Sequence, residues 1–158
     1  MSDSIEVFRK ILVPIDGSKP ANNALVKAFE LAKIHGSTVE VLHVMTFTEG
    51  LPAEHEGSGK TDLPSAWVED YITRVKMKDE KMLRDALSEA EKMGLSGKVT
   101  TKLLIGKPGD AILREAAQSD FDLIVIGNRG LSGLKELVLG SVSHQVVDQS
   151  KIPVLVMK

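Results

Sequence analysis

The chain has 158 residues, 42% hydrophobic and 27% charged, with a formal charge of -2 from 20 basic and 22 acidic side chains, which suits one globular domain and is too short for two. A near-neutral balance excludes a general positive field for nucleic acid, and no run reaches the roughly 18 to 20 apolar residues of a membrane-spanning helix. Zero cysteines exclude disulfides, thiolate catalysis and cysteine-bound zinc, while His35, His43, His55 and His144 show no metal-ligand spacing, so any metal is expected to arrive with a ligand.

In chain order, Met1-Ser2-Asp3-Ser4 lacks the basic and apolar regions of an export signal, so a cytoplasmic location is expected. Lys10 to Ile15 reads as a first strand, and Asp16-Gly17-Ser18-Lys19-Pro20 turns it into a helix with Ala21, Ala24, Leu25, Ala28, Leu31 and Ala32 on one face. Gly36 ends that helix, and Thr38 to Val44 makes a second strand. Thr46 to Ser65, rich in Gly, Pro and acidic residues, reads as a long mobile loop. A long helix follows from about Ala66 to Met93, turning Ile72, Val75, Met82, Leu83, Ala86, Leu87 and Ala90 inward, with Gly94 as its stop. Lys98 to Ile105 is a third strand, and Pro108-Gly109-Asp110 opens a helix through about Gln118. Phe121 to Gly127 is the fourth strand, Ser141 to Ser150 the last helix, and Ile152 to Met157 the fifth strand, with Pro153 near its start. Short β-rich runs alternating with helical ones indicate a doubly wound parallel sheet in one domain.

The segment Gly127 to Ser141 carries the chemistry. It places glycines in a G-x2-G-x9-G-S spacing directly after the apolar run Leu123 to Ile126. Glycines at the carboxyl end of a buried strand let backbone N–H groups approach an anion, and Gly140-Ser141 opens a helix whose free N–H groups and dipole attract the same anion. A lone Gly-x-x-Gly reads first as a turn, whereas the whole spacing reads as a phosphate cradle. Arg129 and Lys135 add positive charge there. Ligands of such sheets bind where the winding reverses, outside the carboxyl ends of the strands, which here offer Pro14-Ile15-Asp16, Val44 and Gly127.

These residues carry a resemblance. Ile11-Leu12-Val13-Pro14-Ile15-Asp16-Gly17-Ser18, Leu42-His43-Val44, Gly106-Lys107-Pro108, Gly127 to Ser141 and Ile152-Pro153-Val154-Leu155-Val156 make nearly the whole chain similar to the universal stress protein family. The ungapped glycine pattern resembles that of its ATP-binding subgroup. The resemblance implies an α/β three-layer open sandwich, Rossmann-like and adenine nucleotide alpha hydrolase-like, with a five-stranded parallel sheet of order 3-2-1-4-5 and a single domain over 1–158. It also implies bound ATP with Mg2+ or Mn2+ held through the phosphates. Gly127, Gly130, Gly140, Ser141 and Val142 would surround ribose and phosphates, and Pro14, Ile15, Asp16 and Val44 would line the adenine and ribose pocket. Ile126, Arg129, Ser132 and Gly133 complete the expected binding set, with no catalytic residue and no protein metal ligand. Similar family members dimerise through the last strand, so a homodimer through Ile152 to Met157 is expected, consistent with an apolar edge strand.

Several of these residues have a second reading. Asp16 is either a helix cap or a ligand. Arg129 either meets phosphate or decorates the loop, and Ser132 and Gly133 are turn residues or further donors. His43 reads as a satisfied core histidine, His144 as solvent-facing, and Trp67 with Tyr71 as anchors of the long helix. Gly57-Ser58-Gly59-Lys60-Thr61 imitates a P-loop, but Glu54 stands where glycine is required, and the segment follows no strand directly. The sequence therefore favours a nucleotide-dependent switch in stress response or signalling that acts on an unidentified downstream partner. The alternative is a slow ATPase or autophosphorylating enzyme using the same site, for which no residue is nominated as base.

Overall fold

In β1 (Lys10–Pro14) successive side chains go to opposite faces, Ile11 and Val13 into one apolar layer and Leu12 into the other. The computed structural model describes residues 8–46, 65–131 and 139–158. After β1 come α1 (Lys19–His35), β2 (Thr38–Met45), α2 (Ser65–Lys92), β3 (Val99–Ile105), α3 (Pro108–Gln118), β4 (Leu123–Gly127), α4 (Ser141–Gln149) and β5 (Val154–Met157). The strands form one parallel sheet, as the alternating pattern predicts, in the order β3-β2-β1-β4-β5 that the resemblance implies. Because β4 returns to the far side of β1, the winding reverses between them, and that gap opens at their carboxyl ends.

Two cores cover the sheet. On one face Ile11, Val13, Val39, Val41, Leu123 and Val125 pack with Ala24, Leu25, Ala28 and Phe29 of α1 and with Leu83, Ala86 and Ala90 of α2. On the other, Leu12, Leu42, Val44, Ile124 and Ile126 pack with Ala111, Ile112 and Ala116 of α3 and Val146 of α4. Phe29, Ile11, Leu12, Leu42 and Ile124 are fully buried, each contributing about 1.5–3 kcal/mol of transfer free energy. Among the described residues no helix is long and apolar enough to cross a membrane.

Differences from the sequence reading have local causes. β1 stops at Pro14, one residue early, although Ile15 N–H still donates to Leu42 O at 2.8 Å. Its pairs with β4 are Ile11–Leu123 and Leu12–Ile124, while those with β2 continue to Pro14–Leu42; Pro14 has no N–H to extend a ladder. β5 begins at Val154 rather than Ile152, with Pro153 O accepting from Ile124 N–H. In α2 only the carboxyl half packs as expected: Met82, Leu83, Ala86, Leu87 and Ala90 join the core, whereas Ile72 and Val75 are half-buried. A helix of 28 residues is about 42 Å long, against about 26 Å for an eight-residue strand, so its first turns overrun the sheet. Trp67, expected with Tyr71 to anchor the start of the helix, is 69% exposed, whereas Tyr71 is half-buried. The expected loop at 46–65, apart from Thr46 and Ser65, lies outside the described residues, and so does the P-loop imitation within it.

Candidate functional site

A cavity of about 360 Å³ opens at the reversal point, within the size range of small-molecule sites. Eleven of the sequence-predicted residues line it: Pro14, Ile15 and Asp16 after β1, Val44 on β2, Ile126 and Gly127 at the end of β4, Arg129 and Gly130 beyond it, and Gly140, Ser141 and Val142 at the start of α4. Ser132 and Gly133 lie outside the described residues, as does Lys135.

Of the helices that start at this cavity, α1 and α4 are finished differently. At α1 the cap is Ser18, whose Oγ accepts from Ala21 N–H at 3.3 Å. Asp16 is thus not the cap. Its Oδ1 accepts from Ser18 N–H at 2.9 Å, which fixes the carboxylate against the cavity wall. At α4 the cap position is Gly140, and no side chain caps the helix. Gly140 N–H donates to Asn128 O at 2.7 Å, closing the loop on itself, and Ser143 Oγ donates to Gly127 O at 2.6 Å, tying the first turn of α4 to the end of β4. The first turn of α4 is therefore held rigidly at the cavity without a side-chain acceptor for its leading N–H groups. Such an end favours an anion.

The three glycines are there for space rather than for unusual dihedrals, since none has positive φ. A Cβ on Gly127 would stand 2.8 Å from Ala21 N and Pro20 C, so α1 starts directly against β4. A Cβ on Gly130 would overlap the Asp16 carboxylate, and one on Gly140 would lie 3.2 Å from Arg129 Cα. Each of these glycines admits a neighbouring part of the protein.

Sequence reasoning missed one wall. Lys78, Asp79 and Met82 of α2 line the cavity together with His43 of β2. A signal was available, because Asp79 interrupts the inward stripe of α2 between Val75 and Met82. His43 is buried, as expected, and satisfied: its Nδ1 lies 2.7 Å from Ile15 O and its Nε2 lies 3.2 Å from Asp79 Oδ2. His144 is exposed on α4, also as expected. Among the described residues no group of three or more His, Asp or Glu side chains could hold a metal ion.

Residues 8–158 match the model of the universal stress protein family. The chain is 36% identical over 152 residues to universal stress protein YxiE of Bacillus subtilis, covering 96% of this chain and all of the relative. Among solved structures, MJ0577 superposes with a TM-score of 0.78 at 28% identity, over 96% of both chains. The universal stress protein from Archaeoglobus fulgidus in complex with dAMP superposes at 0.64 with 27% identity, over 96% of this chain and 99% of that one. The family match over residues 8–158, the sheet order and the relatives agree, and this chain belongs to the universal stress protein family.

Proposed function

We propose that the protein binds ATP in this cavity and serves as a nucleotide-dependent switch in stress response or signalling. The observation that carries the reading is the uncapped start of α4, fixed by Ser143 and facing Asp16 across one cavity. Ile15, Val44 and Ile126 offer an apolar seat for a base, Asp16 accepts from ribose hydroxyls, and Ser141, Arg129 and the N–H groups of α4 meet phosphates. A relative at 27% identity was solved with dAMP, which supports an adenine nucleotide. Mg2+ or Mn2+ would be held by the phosphates, where it neutralises their charge. Two carboxylates, Asp16 and Asp79, line the cavity, too few for a protein-built cage.

The 1–158 chain acts as one domain in this reading, in the cytoplasm, and as a homodimer. The outer edge of β5 is unpaired among the described residues, and Leu155 on it is exposed; such an edge tends to accept a second copy. Sedimentation at micromolar concentration should give twice the mass of one chain. Calorimetric titration with ATP, ADP, AMP and GTP, repeated on Gly140→Val, tests the site: ATP should bind and the variant should not. No ATP binding by the unaltered protein would sink the proposal. Turnover in the same sample separates switch from enzyme, since a switch retains ATP through purification.

A further inference from the structure

The His43–Asp79 contact joins three elements at the cavity wall. His43 Nδ1 lies 2.7 Å from Ile15 O, and a carbonyl oxygen can only accept, so Nδ1 carries a hydrogen. A neutral imidazole would then turn a bare Nε2 lone pair toward Asp79 Oδ2, 3.2 Å away. Two acceptors face to face repel, and both residues are nearly closed to solvent, at 8% and 5% exposure. A hydrogen between them removes that repulsion, carried either on Nε2 of an imidazolium or on a protonated Asp79 carboxyl that donates to a neutral ring. The pair reaches across elements: Arg74–Asp70, Lys76–Glu80 and Lys81–Asp85 join residues of α2 to one another, whereas His43–Asp79 ties α2 to the sheet beside the residues assigned to the nucleotide.

We infer that His43 is a positioning residue for the ligand: as an imidazolium it bridges Ile15 and Asp79, holds α2 as the third wall of the cavity, and so couples nucleotide affinity to one proton. The inference rests on the nucleotide reading above. The charged groups around the pair are Asp16 from the β1–α1 connection, Lys78 beside Asp79 on α2, and Arg129 across the cavity, while β3 presents Leu103 in register with His43. Loss of the proton would leave two acceptors opposed in a buried place, which Asp79 escapes by moving α2 outward.

Two measurements test this. In the free protein at pH 6.5, the nitrogen-15 resonances of the His43 imidazole should show both nitrogens protonated. A single protonated nitrogen would overturn the inference whatever the ligand. Calorimetric ATP titrations from pH 6.5 to 9 then compare the unaltered protein with His43→Gln, His43→Asn and Asp79→Asn; the ionisation of ATP itself is common to all four. The unaltered protein should weaken by up to about tenfold per pH unit once the proton leaves, the limit for one linked proton. His43→Gln keeps a permanent donor toward Asp79, and Asp79→Asn supplies the missing hydrogen to neutral His43, so both should lose that slope. His43→Asn keeps only the Ile15 bond and should bind weakly at every pH. Equal slopes in the unaltered protein and His43→Gln would overturn the coupling. Absent ATP binding at every pH would instead remove the nucleotide reading and the coupling with it, leaving the imidazole resonances to decide the bridge.

Discussion

The carboxylate of Asp16 occupies the space that a side chain on Gly130 would need. Two parts of the cavity separated widely in sequence are thus interlocked. Gly130→Ala should displace Asp16 and weaken ATP binding about tenfold, roughly the 1.4 kcal/mol of one charged hydrogen bond. Combined with Asp16→Ala it should cost no more than Asp16→Ala alone, because both remove the same interaction. Additive losses in calorimetry would show that the two residues act separately.

Gly127 meets the backbone of Pro20 and Ala21 together with the Cβ of the Pro20 ring, so the neighbour cannot swing away. Gly127→Ala should destabilise the protein by about 1–3 kcal/mol, read as a lower urea midpoint with unchanged slope. Stability equal to the unaltered protein would mean that α1 shifts freely from β4, contrary to the 2.8 Å spacing.

Ser18 separates helix capping from ligand contact. Ser18→Ala removes the acceptor for Ala21 N–H and should cost about 1 kcal/mol. It keeps the backbone N–H that Asp16 accepts, so ATP affinity should change by less than about twofold, within 0.4 kcal/mol. A large loss of affinity would place the Ser18 hydroxyl in the site.

Outside the cavity lining, Lys102 Nζ donates to both Glu115 oxygens at 2.8 and 2.9 Å. Burial alone would raise the Glu115 carboxyl, but its hydrogen bonds with Lys102 and Glu40 hold it below the usual 4.5. Glu40 is raised, first by burial and then by its hydrogen bond with Glu115 and that group's charge. The signs are opposite. Glu115 stabilises above its usual value, a contribution lost as pH falls through its lowered one. Glu40 favours the folded state while protonated, a contribution lost as pH rises from 4.5 through its raised value. Glu40→Gln, a permanent neutral donor, should raise stability at pH 7 by about 0.5 kcal/mol, a small figure because Glu40 is half-exposed. Lys102→Met, which strips the donor from Glu115 (3% exposed), should cost about 2 kcal/mol. Urea unfolding of both variants from pH 3 to 8 checks these signs. A destabilised Glu40→Gln would mean that Glu40 is ionised in the folded protein.

Sequence alone determined the order of elements and the parallel sheet, because both rest on local or periodic information, while the family resemblance named eleven of the cavity's lining residues. Alternation in Ile11-Leu12-Val13 selects a strand covered on both faces, the glycines after Ile126 leave room at its end, and the reversal of winding says where a ligand goes. Only the tertiary structure decided why each glycine is there, which residue caps α1, how far α2 overruns the sheet, and that Asp79 and His43 form a wall. Those depend on distances between segments far apart in the chain. Asp79 reads from sequence as a polar lapse in an apolar stripe, and it becomes a partner only when β2 brings the nitrogen of His43 within 3.2 Å of its carboxylate.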